Sequence, residues 1–483
     1  MAKTNLPRKP IYVYEGGKAA HINPELQLRR SVMACLLWER EFYEDGQDIV
    51  SRIQSLIPKV DPQKVSQIAI EAREQMKLRH MPLLITREMA RLNSHKKLVR
   101  ETLSRVIQRA DELAEFLSIY WKDGRQPVSA QVKKGLALAF QKFDGYSLAK
   151  YNRDGVVKLR DVLFLCHAKP VKGISGYNKE ARRRGVLCPN DLGSQLYKKL
   201  VDNILETPDT WEVDLSSTLG INKKEHWERL LKEDKLGGLA LLRNLRNFQK
   251  EGVDESLVVE RLKSMKVARI LPFRFIAAAR HAPQWESHIE EAMMRCLTTQ
   301  EKLVGHTVLL VDVSGSMDSL ISVKSEITRL DAACGVAILA REICENVDIF
   351  TFSMKLKRIP DRHGFALRDA IVSSQEHSGT PLGIAVDSIY ADKSFVGSTA
   401  KFGYCGIRDV DYKGQDLNPD RLIVITDEQS HDTVHDPRGT GRGYMINMAS
   451  NKNGVGYGKW IHIDGWSEAV INYIREIEKV NCH

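Results

Sequence analysis

The chain has 483 residues, which is long for one hydrophobic core, so two or three domains are expected. A hydrophobic content of 43% and a mean hydropathy of −0.32 are typical of a soluble globular protein, and no apolar run is long enough to span a bilayer. The eight cysteines include no Cys-x-x-Cys pair, which argues against a disulfide scaffold or zinc ribbon and favours a cytoplasmic location. The basic start lacks an apolar stretch, so no signal peptide is expected.

The charge is distributed unevenly. Residues 1–300 hold 52 Lys and Arg against 37 Asp and Glu, whereas residues 301–483 hold 20 against 25. Residues 51–200 alone hold 30 basic against 14 acidic residues. This asymmetry indicates a polyanion-binding module joined to a second module, although a basic solvated surface without a ligand is the plainer alternative.

Residues 1–300 have the pattern of a mainly helical domain. Apolar residues recur at helical spacing over residues 98–107 and 110–120, and Gly, Pro and Asn-Asp turns separate such segments. Many medium-length helices with short turns predict stacked helical pairs of the HEAT type. No sequence repeat is regular enough to establish that architecture by itself.

Residues 301–483 have a different pattern, in which strands alternate with helices. The predicted strands are 307–311, 347–352 and 422–426, and the predicted helices are 325–346, 382–390 and 466–479. Such alternation with continuous apolar strands predicts a doubly wound parallel sheet. Ligands of these sheets bind at the carboxyl ends of the strands.

An Asp-x-Ser-x-Ser sequence follows the first of these strands and supplies Asp312, Ser314 and Ser316. Thr380, at the start of a helix, and Asp427, after the third strand, add another hydroxyl and another carboxylate. Oxygen donors of this kind suit hard divalent cations, and the small number of carboxylates favours Mg²⁺ over Ca²⁺. The set leaves at least one coordination position for water or for an acidic group of a partner.

These five positions resemble the metal-dependent adhesion site of the von Willebrand factor A domain, and the ligand assignments are carried over from that motif. Two alternatives exist for the same residues. The polar side chains could only cap helices and turns. Ser314 or Ser316 could be a nucleophile, but the loop is not Gly-x-Ser-x-Gly and no suitably placed histidine follows.

The basic part contains a short helical pattern over residues 158–170, with Arg160, His167 and Lys169 at or near its end. Cations on one rim can contact phosphates, and an imidazole can stack on a base. A histidine beside an apolar face is, however, more often structural. Cys166 is likewise expected to be buried and inert rather than a nucleophile.

Residues 165–170, 241–245 and 268–273 resemble segments of the TROVE domain of the Ro ribonucleoprotein family, bacterial or phage type. The resemblance implies a ring of helical repeats (residues 1–300) joined to the von Willebrand factor A domain (residues 301–483). It implies Y RNA on an outer basic surface, single-stranded ends of misfolded RNA in a central hole, and an exoribonuclease partner. The family's Y-RNA contacts map onto Lys150, Arg153 and His167, with Arg160 and Lys169 as neighbours.

We therefore expect a non-enzymatic, monomeric, cytoplasmic ribonucleoprotein core that binds Y-like small RNA and ends of misfolded RNA and scaffolds RNA quality control or decay. A metal-dependent protein-interaction scaffold without an RNA ligand is the main alternative. A hydrolytic RNA enzyme ranks last, because the sequence lacks a multi-carboxylate constellation suited to phosphodiester cleavage.

Overall fold

The computed structural model describes most of the chain. The described residues are 10–33, 46–152, 155–169, 192–206, 222–267, 270, 272–297, 302–321, 326–390, 409–411, 417, 419–438, 441–449, 451, 453–465 and 469–480. The chain divides into two compact units. Ser51–Gly220 form one, here called the helical unit, and Met1–Val50 with Ile221–His483 form the other, the α/β unit. This division groups residues 221–297 with the sheet and does not test the predicted domain boundary at residue 300.

The helical unit consists of short amphipathic helices. Those described from α2 onward are α2 (Gly46–Leu56, which crosses the division at residue 50), α3 (Pro62–Glu74), α4 (His80–Arg91), α5 (Lys96–Val106), α6 (Asp111–Tyr120), α7 (Ala130–Phe140), α8 (Gly145–Tyr151), α9 (Leu159–Cys166) and α10 (Leu192–Val201). Val99, Leu103 and Val106 show why α5 forms, because they place one fully buried stripe along it. Helices α5 and α6 agree with the helices predicted at 98–107 and 110–120.

Within this unit, α3 packs on α5, α5 on α7 and α7 on α9, while α4 packs on α6. In these four pairs a helix contacts the helix two places further along the chain, and α3–α4, α4–α5 and α6–α7 are contacts between immediate neighbours. Two layers of helices with this pattern are characteristic of stacked helical pairs. The predicted helical-repeat architecture is confirmed, whereas closure into a ring stays a prediction.

The α/β unit begins with more helices of the same kind. These are α11 (Lys223–Lys232), α12 (Gly238–Glu251), α13 (Glu255–Ser264), α14 (Pro272–His281) and α15 (Glu286–Leu297). Helix α11 packs on α13 and α13 on α15, and α12 packs on α14. The α/β unit therefore has a two-layer helical pattern of its own before the first strand of the large sheet.

The large sheet has seven strands in the order β6-β5-β4-β3-β7-β8-β9. Their bounds are β3 (Leu303–Asp312), β4 (Cys344–Phe352), β5 (Lys355–Arg358), β6 (Asp409–Asp411), β7 (Arg421–Thr426), β8 (Arg442–Asn447) and β9 (Ile461–Asp464). All neighbouring strands are parallel except the β4–β5 pair. This confirms the predicted doubly wound α/β architecture.

The helices of this sheet are α16 (Arg329–Ile343), α17 (Gly364–Val372), α18 (Leu382–Ile389) and α19 (Ala469–Val480). The helix predicted over 325–346 was too long, because Cys344 already begins β4. Cys344 and Asn346 pair with β3, so sheet pairing overrides a sequence that has no helix breaker at this point. Strands β5, β6, β8 and β9 and helix α17 were not predicted.

The α/β unit also contains an N-terminal segment, residues 10–33, that the sequence did not reveal. It forms a two-stranded antiparallel hairpin of β1 (Ile11–Tyr12) and β2 (Lys18–Ala19), followed by α1 (Pro24–Met33). Val13 and Ala19 join the core of the large sheet. None of the described helices in either unit has the length and apolar character needed to cross a bilayer.

Candidate functional site

The first candidate site lies where β3 ends. Asp312, the last residue of β3, is fully buried, and both of its carboxylate oxygens accept hydrogen bonds. The amide of Ser314 donates to Oδ1 at 2.8 Å, and the hydroxyl of Thr426 donates to Oδ2 at 2.6 Å. The hydroxyl oxygens of Ser314 and Ser316 lie 3.2 Å apart. One tight loop therefore holds one carboxylate and two hydroxyls together.

The other two predicted ligands lie at the same edge of the sheet. Strand β7 is parallel to β3, with Val311 opposite Ile425, so Asp427 emerges beside Asp312. The loop that leads to Thr380 is joined to the first loop by a hydrogen bond of 3.0 Å from the amide of Gly315 to the carbonyl of Ser378. The carbonyl of Thr380 in turn accepts from the Ser430 hydroxyl at 3.1 Å.

The electrostatics of this edge favour a cation. Burial, followed by the neighbouring charge of Asp427, raises the pKa of Asp312 to about 7. Two buried carboxylates repel each other when both are ionised, and a divalent cation between them would remove that repulsion. The donor set fits a hard cation, with Asp312, Ser314, Ser316, Thr380 and Asp427 as the residues that would hold it.

Sequence reasoning missed one charged neighbour. The buried guanidinium of Arg329, at the start of α16, lies 3.5 Å from the carboxylate of Asp427 and offsets part of its charge. Among the described residues, no group of three or more His, Cys, Asp or Glu side chains is arranged as a metal site. The candidate site differs from such groups because hydroxyls supply most of its donors.

A nucleophilic role for Ser314 or Ser316 finds no support in the described contacts. His377 is the histidine of the neighbouring loop, and both of its ring nitrogens have other partners. Nδ1 lies 2.8 Å from Asp318, and Nε2 lies 2.9 Å from the carbonyl of Val372. This imidazole is therefore not oriented to accept a proton from either serine.

The second candidate site is the solvent-facing side of α9. The helix is buried along Leu159, Val162, Leu163 and Cys166. Arg160 is 47% exposed on the opposite side, with its Nε 3.9 Å from Asp161. His167 caps the helix in the left-handed conformation at φ 52°, and both it and Lys169 are exposed. Arg160 thus lies in the first turn of α9, whereas His167 and Lys169 follow its last residue, so the predicted position near the helix end holds for two of these three residues.

The remaining predicted RNA-binding residues have different outcomes. Lys150 lies in the last turn of α8, with its Nζ 5.7 Å from the ring centroid of Tyr151, which Arg109 also contacts at 4.8 Å. Arg153 lies outside the described residues. Burial raises the pKa of the Cys166 thiol to about 11, which agrees with the expectation that this cysteine is inert.

The sequence analysis missed an aromatic residue of this surface. Phe164 is 59% exposed, and it lies one helical turn after Arg160. Its position off the buried stripe was the available signal, because an apolar residue there has no core to enter. An exposed ring beside a guanidinium is a common arrangement for stacking a base.

A further basic patch, here called the α12–α14 patch, consists of Arg243, Arg246 and Arg274. Arg243 and Arg246 are exposed one turn apart on α12, which packs on α14. Burial and the charge of Arg243 lower the pKa of Arg274. In the described part of the chain, no carboxylate forms an ion pair with any of the three, so this patch is suited to an anionic ligand.

These features define a class of protein: a helical-repeat array in the same chain as a doubly wound α/β domain with an oxygen-rich edge. The TROVE domain model matches residues 203–335. The fold is similar to that of the Deinococcus radiodurans Ro (RSR) protein, with a TM-score of 0.56 over 93% of this chain and 98% of that chain, at 17% identity. Residues 203–335 therefore match the TROVE domain, in agreement with the sequence resemblance, and the fold is similar to that of a solved Ro protein.

Two curated relatives are much longer. The chain is 24% identical to telomerase protein component 1 of Rattus norvegicus over 325 residues, which are 52% of this chain and 12% of that protein. It is 42% identical to telomerase protein component 1 of Mus musculus over 80 residues, 15% of this chain and 3% of that protein. The chain thus spans about an eighth or less of the length of these relatives.

Proposed function

We propose that this protein binds RNA and is the core of a ribonucleoprotein. The observation that carries the proposal is the solvent-facing side of α9, where Arg160, His167 and Lys169 accompany the exposed ring of Phe164. Cations can contact phosphates while an aromatic ring stacks on an unpaired base. The TROVE match and the Ro-type fold support this reading over a basic surface without a ligand.

We further propose that the bound RNA is a Y-like small RNA together with single-stranded ends of misfolded RNA. Stacking and phosphate contacts need unpaired, splayed nucleotides, which single-stranded ends supply. The α12–α14 patch, inside the range of the TROVE match, offers a second group of arginines for phosphates. We propose that the protein acts as a monomer in the cytoplasm. Its enzyme partner in this proposal is an exoribonuclease that acts on the bound RNA.

The edge of the sheet where β3 and β7 end, here called the metal-site edge, has a different role in this proposal. It holds Mg²⁺ through Asp312, Ser314, Ser316, Thr380 and Asp427, and it docks an acidic side chain of a partner rather than catalysing a reaction. Two carboxylates without an oriented base are poorly suited to phosphodiester cleavage. The same edge also supports the alternative function, a metal-dependent interaction scaffold without a dedicated RNA.

The test compares a stem-loop RNA that has a single-stranded 3′ tail with the same stem-loop without the tail. We expect tighter binding of the tailed RNA and an affinity that falls at least about tenfold between 50 and 200 mM salt, because several phosphates are contacted together. Incubation with Mg²⁺ should leave both RNAs intact. Absence of binding, or an affinity that salt does not change, would favour the scaffold, and cleavage would favour the enzyme.

A further inference from the structure

The N-terminal segment lies against the loop that carries Asp427. The amide of Tyr14 donates to the side-chain oxygen of Gln429 at 2.8 Å, and the amide of Gly17 donates to the carbonyl of Ser430 at 2.8 Å. Gly17 approaches so closely that a Cβ there would clash with the same carbonyl. The hairpin is therefore fitted to residues 427–432, here called the Asp427 loop.

One side chain of the hairpin turn reaches a predicted metal ligand through a histidine. The Glu15 carboxylate lies 3.1 Å from Nε2 of His431, and Nδ1 of His431 accepts from the amide of Thr380 at 3.0 Å. Because Nδ1 accepts, the ring proton is on Nε2 and points to Glu15. The amide of His431 also donates to the carbonyl of Thr380 at 3.1 Å. Glu15 thus orients the ring that fixes the Thr380 backbone.

A second connection starts from α1. Arg30 is fully buried, its Nε donates to the carbonyl of Asn451 at 2.6 Å, and its guanidinium pairs with the buried carboxylate of Glu428. Glu428 follows Asp427 directly and has a left-handed backbone with φ 59°. Such a conformation is costly for a residue with a side chain, so the ion pair with Arg30 helps to keep it.

Glu428 is connected further to the first loop of the site. Its amide donates to the hydroxyl of Thr426 at 3.1 Å, and that hydroxyl donates to Asp312. The other oxygen of Glu428 lies 3.0 Å from Nδ1 of His462. Groups that hold metal ligands in place from behind commonly change metal affinity by about 10–100-fold when they are removed.

We propose that docking of the N-terminal segment and binding of Mg²⁺ are thermodynamically coupled. Glu15 and Arg30 are positioning residues that hold Thr380 and the Asp427 loop in the geometry the cation needs. By linkage, the bound cation stabilises the docked segment by the same free energy. The inference rests on the metal site of the proposed function and adds the way in which it is controlled.

The first test uses the full chain, stripped of metal with EDTA and titrated with MgCl₂ by calorimetry. Glu15→Ala removes the acceptor of the His431 ring proton and should weaken Mg²⁺ binding about tenfold. Glu15→Gln keeps an oxygen acceptor without the charge and should restore the affinity to within about threefold of wild type. Glu25→Ala, which removes an equal charge from the same segment, is the control and should bind as wild type does.

The second test measures hydrogen exchange at the amides of Tyr14, Gly17 and Ala20 with and without Mg²⁺. Exchange should slow in the wild-type protein when Mg²⁺ is added and should not change in Asp312→Ala. If the wild-type protein binds no Mg²⁺, the metal site itself is wrong. If it binds Mg²⁺ but Glu15→Ala binds equally well, or exchange does not respond, the coupling is wrong and the metal site stands.

Discussion

The proposed metal-site edge (Asp312, Ser314, Ser316, Thr380 and Asp427) and the α9 surface (Arg160, Phe164, His167 and Lys169) are built in opposite ways. At the edge, Asp312 and Asp427 are fully buried, and Asp312 accepts hydrogen bonds on both carboxylate oxygens. On α9, Arg160 is 47% exposed, and its nearest described carboxylate is 3.9 Å away. One site is buried and held by hydrogen bonds, whereas the other is a set of exposed side chains on and just after a short helix.

This difference predicts how each region recognises its ligand. A buried, hydrogen-bonded constellation selects by geometry, because small displacements of a donor change the coordination. Exposed cations and a ring tolerate many nucleotide sequences, because every nucleotide has a phosphate and a base that can stack. Loss of a predicted metal ligand should therefore abolish Mg²⁺ binding at the edge. Loss of one side chain on α9 should only weaken RNA binding.

The largest effect is expected at the edge. Asp312→Ala should abolish stoichiometric Mg²⁺ binding, because one of the two carboxylates of the donor set is lost. Titration calorimetry of the EDTA-treated protein measures this directly. Asp369→Ala, an exposed carboxylate on α17, is the matched control and should leave binding unchanged. If Asp312→Ala binds Mg²⁺ as wild type does, the edge is not a metal site, and its contrast with the α9 surface fails.

The second effect concerns pH. The raised pKa of Asp312, about 7, means that the folded state without metal holds a proton that the unfolded state releases near pH 4. The free energy of unfolding in EDTA should therefore fall by about 2 kcal/mol between pH 5.5 and 8. Urea unfolding at the two pH values measures it. Asp312→Asn should flatten this dependence, and an equally steep slope in that variant would assign it to another group.

The smallest effect is expected on α9. The double substitution Arg160→Ala and Lys169→Ala should weaken RNA binding about tenfold and reduce the slope of log affinity against log salt by up to about 2, with little change in stability. Filter binding at several salt concentrations tests this. Arg105→Ala is the control, because Arg105 is 45% exposed but pairs with Glu74. A loss of RNA binding as large for Arg105→Ala as for the double variant would show that α9 has no special role.

The sequence predicted features that depend on local patterns, and it missed contacts between residues that are far apart in the chain. The positions of Asp312 and Asp427 were predictable, because strand ends of a parallel sheet share one edge. The pairing of Arg329 with Asp427 joins residues 98 positions apart and that of Arg30 with Glu428 joins residues 398 apart, and no local pattern encodes either. The exposure of Phe164 was visible only as a departure from the apolar stripe of α9.

The errors in the predicted secondary structure also come from contacts between distant parts of the chain and from short elements. The predicted helix over 325–346 ran into β4, because the residues after Ile343 are compatible with a helix and only pairing with β3 makes them a strand. Short strands such as β5 and β9, of four residues each, carry too little periodicity to be recognised alone.

The burial of Arg30 also has a consequence for biosynthesis. Its carboxylate partner, Glu428, lies 398 residues further along the chain. At ribosomal speeds of about 5–20 residues per second, Arg30 is made roughly 20–80 s before Glu428 exists. During that interval helix α1 has no completed site to enter, and its basic side chain stays in water. The ion pair that fixes helix α1 can therefore form only after Glu428 has been made and has left the ribosome.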